Sequence, residues 1–204
     1  METTLKALIA SHGADLPAIG APGRRWLTYD GLRTLTTEVT DSLNAMGIDA
    51  SDRVVIVLPN GPEMATAFVS VAQTATTAPL NPAYREEEYE FYLEDLKAKA
   101  LLVIDGYDGP AFKAATTLGI NVIRLTVPDD APAGYFTLSS NIDAASATKV
   151  PTADDVALIL HTSGTTSRPK IVPLLQSNVA ASAQNVSASL ALTSEDVCLN
   201  VMPL

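Results

Sequence analysis

The sequence predicts an α/β fold, a doubly wound and mostly parallel sheet with flanking helices, and three observations carry that expectation. Short apolar runs recur without polar alternation, the pattern of strands covered on both faces. Helical stripes, with apolar residues three and four apart, stand between them. The two alternate along most of the chain, as parallel strands joined by crossover helices require.

Taken in order, Leu32, Leu35, Val39, Leu43 and Met46 form the first stripe, a helix that starts after Thr28 and stops at Gly47. Residues 54–58 are a buried strand, ended by Pro59-Asn60-Gly61. A second helix begins near Pro62, where proline suits the first turn and Glu63 complements the helix dipole; its stripe is Met64, Phe68, Val71 and Ala75. A third begins near Arg85, with Glu86, Glu87 and Glu88 in its first turn and Tyr89, Tyr92, Leu93 and Leu96 on its buried side. A strand over 101–104, a short helix over 112–118 and a strand over 121–127 continue the pattern. The polar, proline-containing stretch 128–152 interrupts it. That stretch is the expected boundary between an N-terminal α/β subdomain, 1–150, and the start of a second, 151–204. In the second, 156–160 reads as a buried strand and Ser177 as the cap of a helix striped by Val179, Ala183, Val186 and Leu190.

Composition bounds the function. At 204 residues and 47% hydrophobic content the chain can bury a real core. A formal charge of -10 argues against a nucleic-acid partner or an anionic lipid surface, because both need a basic face. Any bound anion must therefore be gripped locally. The single cysteine, Cys198, excludes an intramolecular disulfide, the first residues lack a secretory pattern, and no apolar stretch is long enough to span a bilayer. A cytoplasmic location is expected; a peroxisomal one needs a targeting signal outside these residues. Oligomeric state is not readable.

The chemistry concentrates in "HTSGTTSRPKIVPL", residues 161–174, expected to link the strand at 156–160 to the following helix at the carboxyl edge of the sheet, where α/β folds bind ligands. Thr162, Ser163, Thr165, Thr166 and Ser167 offer hydroxyl donors, Gly164 permits close backbone approach, and Lys170 adds a mobile positive charge. That donor set suits phosphate oxygens. Gly164 to Lys170 has the glycine-to-lysine spacing of a Walker P-loop, but Pro169 replaces its second glycine and Ile171 its magnesium-binding hydroxyl. Both departures argue against a standard P-loop kinase or GTPase.

The stretch resembles the Thr-Ser-Gly-Thr-Thr-Gly-x-Pro-Lys-Gly loop of the AMP-forming acyl-CoA synthetases, the adenylate-forming superfamily. "WLTYDGLRTLTTEV", "SDRVVIVLPNGPEM" and "APLNPAYREEEYEFYLEDLKAKALLV" resemble three further family blocks in the right order. Ser167 and Ile171 stand where most members have glycine, and Ser167-Arg168 resembles the variant of oxalate–CoA ligases. A β-branched Ile171 resists positive φ, so a glycine-specific conformation there would force the outgoing limb to differ.

The resemblance implies an acid–thiol ligase using ATP, Mg2+ and coenzyme A as co-substrate, with a small carboxylic acid, oxalate or a fatty acid, activated as acyl-AMP. It implies Thr162, Ser163, Gly164, Thr165, Thr166, Ser167 and Lys170 as nucleotide contacts, Lys170 as the catalytic cation and Thr165 as a magnesium ligand. Family elements that follow the segment matching 201–204 are absent from this sequence. The expectation is thus an N-terminal portion of a protein more than twice as long, inactive by itself. The competing expectation is a non-catalytic nucleotide- or partner-binding module, with the loop spoiled by Ile171.

Other residues read as structural. His161 is expected to pack or to bond the loop rather than transfer protons, Arg168 to be a solvated cation, and Cys198 to lie in a core because no activating cation is near it in sequence. Trp26 and Tyr29 are expected to pack around the first helix, and Asn60 and Glu63 to serve a turn and a helix start.

Overall fold

The computed structural model describes residues 3–147, 149–162 and 169–202. The elements run α1 (Leu5–Ala10), β1 (Pro17–Ile19), β2 (Leu27–Thr28), α2 (Tyr29–Ala45), β3 (Arg53–Val57), α3 (Pro62–Val71), β4 (Thr76–Pro79), α4 (Glu86–Asp95) and β5 (Ala100–Ile104). They continue with α5 (Pro110–Thr117), β6 (Asn121–Thr126), β7 (Thr137–Ser140), β8 (Val156–Thr162), β9 (Lys170–Leu175) and α6 (Gln176–Ser189).

β1 and β2 pair as a small antiparallel ribbon, and the remaining strands form a seven-stranded sheet in the order β7-β6-β5-β3-β4-β8-β9. β6, β5, β3, β4 and β8 are mutually parallel, and an antiparallel strand closes each edge. Alternation along β3 shows why the run carried no polar residues. Val54 and Ile56 enter the core under α2 and α3, while Val55 and Val57 enter the one under α4 and α5. Both faces are covered, as the doubly wound reading requires.

The first stripe is buried throughout, and Thr28 caps α2 by accepting from the Gly31 amide at 3.1 Å. Glu63 opens α3 as expected of a first-turn acid, and also takes Arg24 Nη1 at 2.5 Å and the Gly134 amide at 3.1 Å. That ties the polar stretch to the core. Within it, Ala133 and Phe136 are buried, and Gly134 at φ +82° sits where a Cβ would meet Thr66 Cγ2 at 2.7 Å.

Several elements differ from expectation. β4, with its threonines, carries no apolar signature, yet it lies inside the sheet between β3 and β8. Its hydroxyls explain how: Thr76 Oγ1 donates to the Val156 carbonyl and Thr77 Oγ1 to that of Ala157, both at 2.8 Å. Residues 170–175, read as loop, form β9; Pro173 is tolerated because the strand is an edge. Ser177 does not cap α6. Leu175 occupies that position, and the Asn178 carboxamide accepts from its amide at 3.0 Å. The α6 stripe is buried at only one end, since Val186 and Leu190 are exposed. Residues 193–202 form no helix or strand, so Cys198 is exposed rather than in a core. Trp26 is half exposed and lies against Gly20. No helix among the described residues is long and apolar enough to cross a membrane.

Candidate functional site

β8 brings the motif to the sheet's carboxyl edge. Thr77 pairs with Leu158, and β8 runs parallel to β4 from there, so its last residues emerge on the side where the parallel strands end. The chain then folds back. Leu160 pairs with Val172, His161 with Ile171 and Thr162 with Lys170 in an antiparallel ladder. The motif is therefore the loop of a hairpin, which corrects the expected strand-to-helix junction. Six residues of β9, at about 3.3 Å each, put the start of α6 roughly 20 Å from Lys170. The helix N-terminus can contribute nothing to an anion held at the loop.

Thr162 and Lys170 face each other on the last described rung, and opposite residues in such a ladder have Cα atoms about 5 Å apart. Both are exposed. Among the described residues Lys170 makes no ion pair, so its ammonium is not neutralised by a carboxylate there. Ser163, Gly164, Thr165, Thr166, Ser167 and Arg168 lie outside the described residues. Ile171 takes an extended conformation on the ladder and is not among the non-glycine residues with positive φ. A β-branched residue suits such a place.

His161 is the residue whose surroundings the sequence did not disclose. Its side chain is only 6% exposed and stands edge-on to Tyr92, centroids 4.6 Å apart, while Tyr92 in turn stacks on Tyr84 at 5.1 Å. Its buried Nε2 lies 3.5 Å from Asp95 Oδ2, a long contact that becomes an ion pair when the imidazole is protonated. Burial lowers the proton affinity of the imidazole, with Asp95 opposing. Burial also pushes the Tyr92 hydroxyl up to about 12, so that group stays neutral. Tyr92 was legible from its helical stripe. Asp95, at the end of α4, gave no sequence signal.

A cavity of about 690 Å³ opens near the carboxyl end of β3, between Trp26, Asn60, Gly61 and the segment that includes Cys198 and Met202; Thr162 and Lys170 do not line it. No group of three or more His, Cys, Asp or Glu among the described residues could hold a metal ion.

Comparison with known proteins finds relatives along nearly the whole chain. The family model described as "AMP-binding enzyme" matches residues 7–204. An oxalate–CoA ligase of Arabidopsis thaliana is 39% identical over 203 residues, covering 96% of this chain and 39% of the relative. One of Saccharomyces cerevisiae is 37% identical over 177 residues, covering 75% of this chain and 33% of the relative. The solved structure of apo MatB from Rhodopseudomonas palustris superposes with a TM-score of 0.80 at 24% identity, covering 100% of this chain and 40% of that one. The chain thus spans well under half the length of these relatives.

Proposed function

Since the chain belongs to the AMP-binding enzyme family, we propose that it forms the phosphate-gripping part of an ATP-dependent acid–thiol ligase. In the complete protein a carboxylate oxygen attacks the α-phosphorus of ATP, pyrophosphate leaves, and coenzyme A displaces AMP from the acyl-adenylate through its thiol. Activation is needed because a carboxylate is a poor electrophile. Charge grows on the departing pyrophosphate, and donors fixed in advance around it lower the barrier.

The observation that supports this most is the rung of Thr162 and Lys170 at the carboxyl edge, with an ammonium that no described carboxylate neutralises. In this reading Thr162, Ser163, Gly164, Thr165, Thr166 and Ser167 supply hydroxyl or backbone donors to the phosphates. Lys170 supplies a point charge to the outer ones. Magnesium, when bound, would neutralise part of the triphosphate charge, and Thr165 is the hydroxyl proposed for it. The same reading divides the chain near residue 150 into a supporting α/β part and an arm that carries the loop.

For the acid we propose oxalate. Two relatives named as oxalate–CoA ligases are 37% to 39% identical to this chain, and Ser167-Arg168 follows the variant already noted. The test is ATP–pyrophosphate exchange by the complete protein against short mono- and dicarboxylic acids, followed by thioester formation with coenzyme A. Exchange should be greatest with oxalate. No exchange with any acid would remove the ligase reading, and a preference for long monocarboxylates would remove oxalate alone.

A further inference from the structure

At the amino edge of the sheet, opposite the end that carries Thr162 and Lys170, a cavity of about 310 Å³ lies between α1, α2, the turn before β4 and residues 149–151. Its walls are of two kinds. Ile9, Val150 and Pro151 make an apolar side, and Val150 is left 66% exposed there. Thr36 and Thr37 add to that side, because both hydroxyls are spent on the Arg33 carbonyl at 2.9 Å. Lys6 and Arg33 bring positive charge, in a chain whose net charge is -10.

Neither charge is cancelled in place. Among the described residues Lys6 makes no ion pair. Arg33 Nη1 donates to the carbonyls of Ile9 and His12, at 3.4 and 3.1 Å, which orients the guanidinium without neutralising it. Asp30, 3.6 Å from Arg33 Nη2, is 72% exposed and screened by water. Lys149 also lines the cavity, but its ammonium is drawn to Asp155 at 3.4 Å. A hydroxyl proton is available as well. Thr40 and Thr74 share one hydrogen bond at 2.8 Å, so one of their two protons remains to be donated, and Thr74 is only 2% exposed. Asp41, exposed, is the carboxylate that opposes an anion here.

We propose that this cavity binds a small monocarboxylate with an apolar body, at a place the proposed reaction does not use and independently of how the loop is read. The carboxylate accepts charge-assisted hydrogen bonds from Lys6 and Arg33 and the spare proton of the threonine pair. The hydrocarbon covers Ile9, Pro151 and the exposed Val150. At about 310 Å³ the space stands at the small end of ligand sites, which suits a few carbons rather than a long chain. Phosphate gains nothing from the apolar wall, and a neutral alcohol gains nothing from the cations.

Titration of the isotope-labelled chain with hexanoate, followed by amide NMR, tests this. The amides of Thr40, Thr74 and Val150 should shift together and saturate, while those of Thr162 and Lys170 stay in place. From acetate through butyrate to hexanoate the affinity should rise, by up to about 4-fold for each methylene buried. Arg33→Gln should weaken hexanoate about 10-fold, the loss of one hydrogen bond to a charged group, and Asp41→Asn should strengthen it. Should Arg33→Gln fail to fold, Lys6→Gln, on the exposed side of α1, takes its place with the same sign. Hexanol or inorganic phosphate binding as tightly as hexanoate, affinity indifferent to both cations, or shifts that never saturate would each overturn the proposal. None of these outcomes bears on the loop, whose test is pyrophosphate exchange.

Discussion

The strands around β3 and the hairpin of β8 and β9 belong to one sheet but are built on different terms. Val54, Val55, Ile56 and Val57 are at most 3% exposed, and β3 pairs along four registered positions with each neighbour. The hairpin joins that sheet through one registered pair, Thr77 with Leu158, plus two threonine hydroxyls, and it leaves Leu160 and Ile171 exposed at 41% and 38%. The first region carries stability and no chemistry. The second carries the candidate chemistry on an arm held by those contacts and by the buried side chains of Ala157 and Ile159, while its far end is exposed, so changes in β3 and at that exposed end should separate folding from activity.

The sharpest separation comes from Ile56→Ala. It removes a fully buried side chain from the core under α2 and α3 and should cost about 2–5 kcal/mol of unfolding free energy, read by denaturant titration. A loss below about 1 kcal/mol would remove the claim that stability resides there. Lys170→Ala is the converse. The side chain is exposed and makes no ion pair among the described residues, so the melting temperature should hold while ATP–pyrophosphate exchange by the complete protein slows by roughly 10²-fold. An unchanged exchange rate would refute Lys170 as the phosphate cation.

The seam itself offers a smaller effect. Thr77→Val keeps the shape but deprives the Ala157 carbonyl of its side-chain donor in a buried setting, at a cost of about 1–2 kcal/mol. If the seam is where the arm is held, hydrogen exchange in β8 should accelerate more than in β5. Equal acceleration in both would mean the sheet opens as one unit.

The same contrast explains what the sequence disclosed. Strands buried on both faces, such as the one containing Val54 and Ile56, were legible because a short run of adjacent β-branched residues ended by Pro59-Asn60-Gly61 favours a covered strand over a buried helix. β4 escaped because Thr76 and Thr77 look like loop residues until their hydroxyls find the carbonyls of β8, a contact eighty residues away in sequence. β9 escaped because Pro173 and the preceding cation argue against a strand unless it is known to be an edge. The motif was legible by residue type and order, but its setting was not. Whether a loop precedes a helix or turns back on a strand depends on the partner of Ile171 and Lys170, which local sequence does not name. Asp95 was invisible for the same reason: its relation to His161 exists only through the packing of α4 on β8.

The smallest effect concerns that packing. His161 has its proton affinity lowered in the folded chain, by burial first, with Asp95 opposing. The unfolded chain then binds the proton more readily, so stability is complete above the ordinary imidazole value of 6.5 and declines as pH falls through the lowered folded value. The carboxylates held down by hydrogen bonds, Asp49 by the Ser51 amide and Asp155 by that of Thr152, act in the same direction, but only at pH values below the ordinary 3.8. As pH falls the imidazole window opens first, below 6.5. Thermal melting between pH 7 and 5 should therefore show a decline in the wild type that is smaller in His161→Phe, and Asp95→Asn should steepen it by removing the charge that opposes burial. A decline of equal size in all three chains would mean that the imidazole is not buried at the root of the arm, and the contrast between a dry core and a proton-sensitive hairpin would lose its most specific residue.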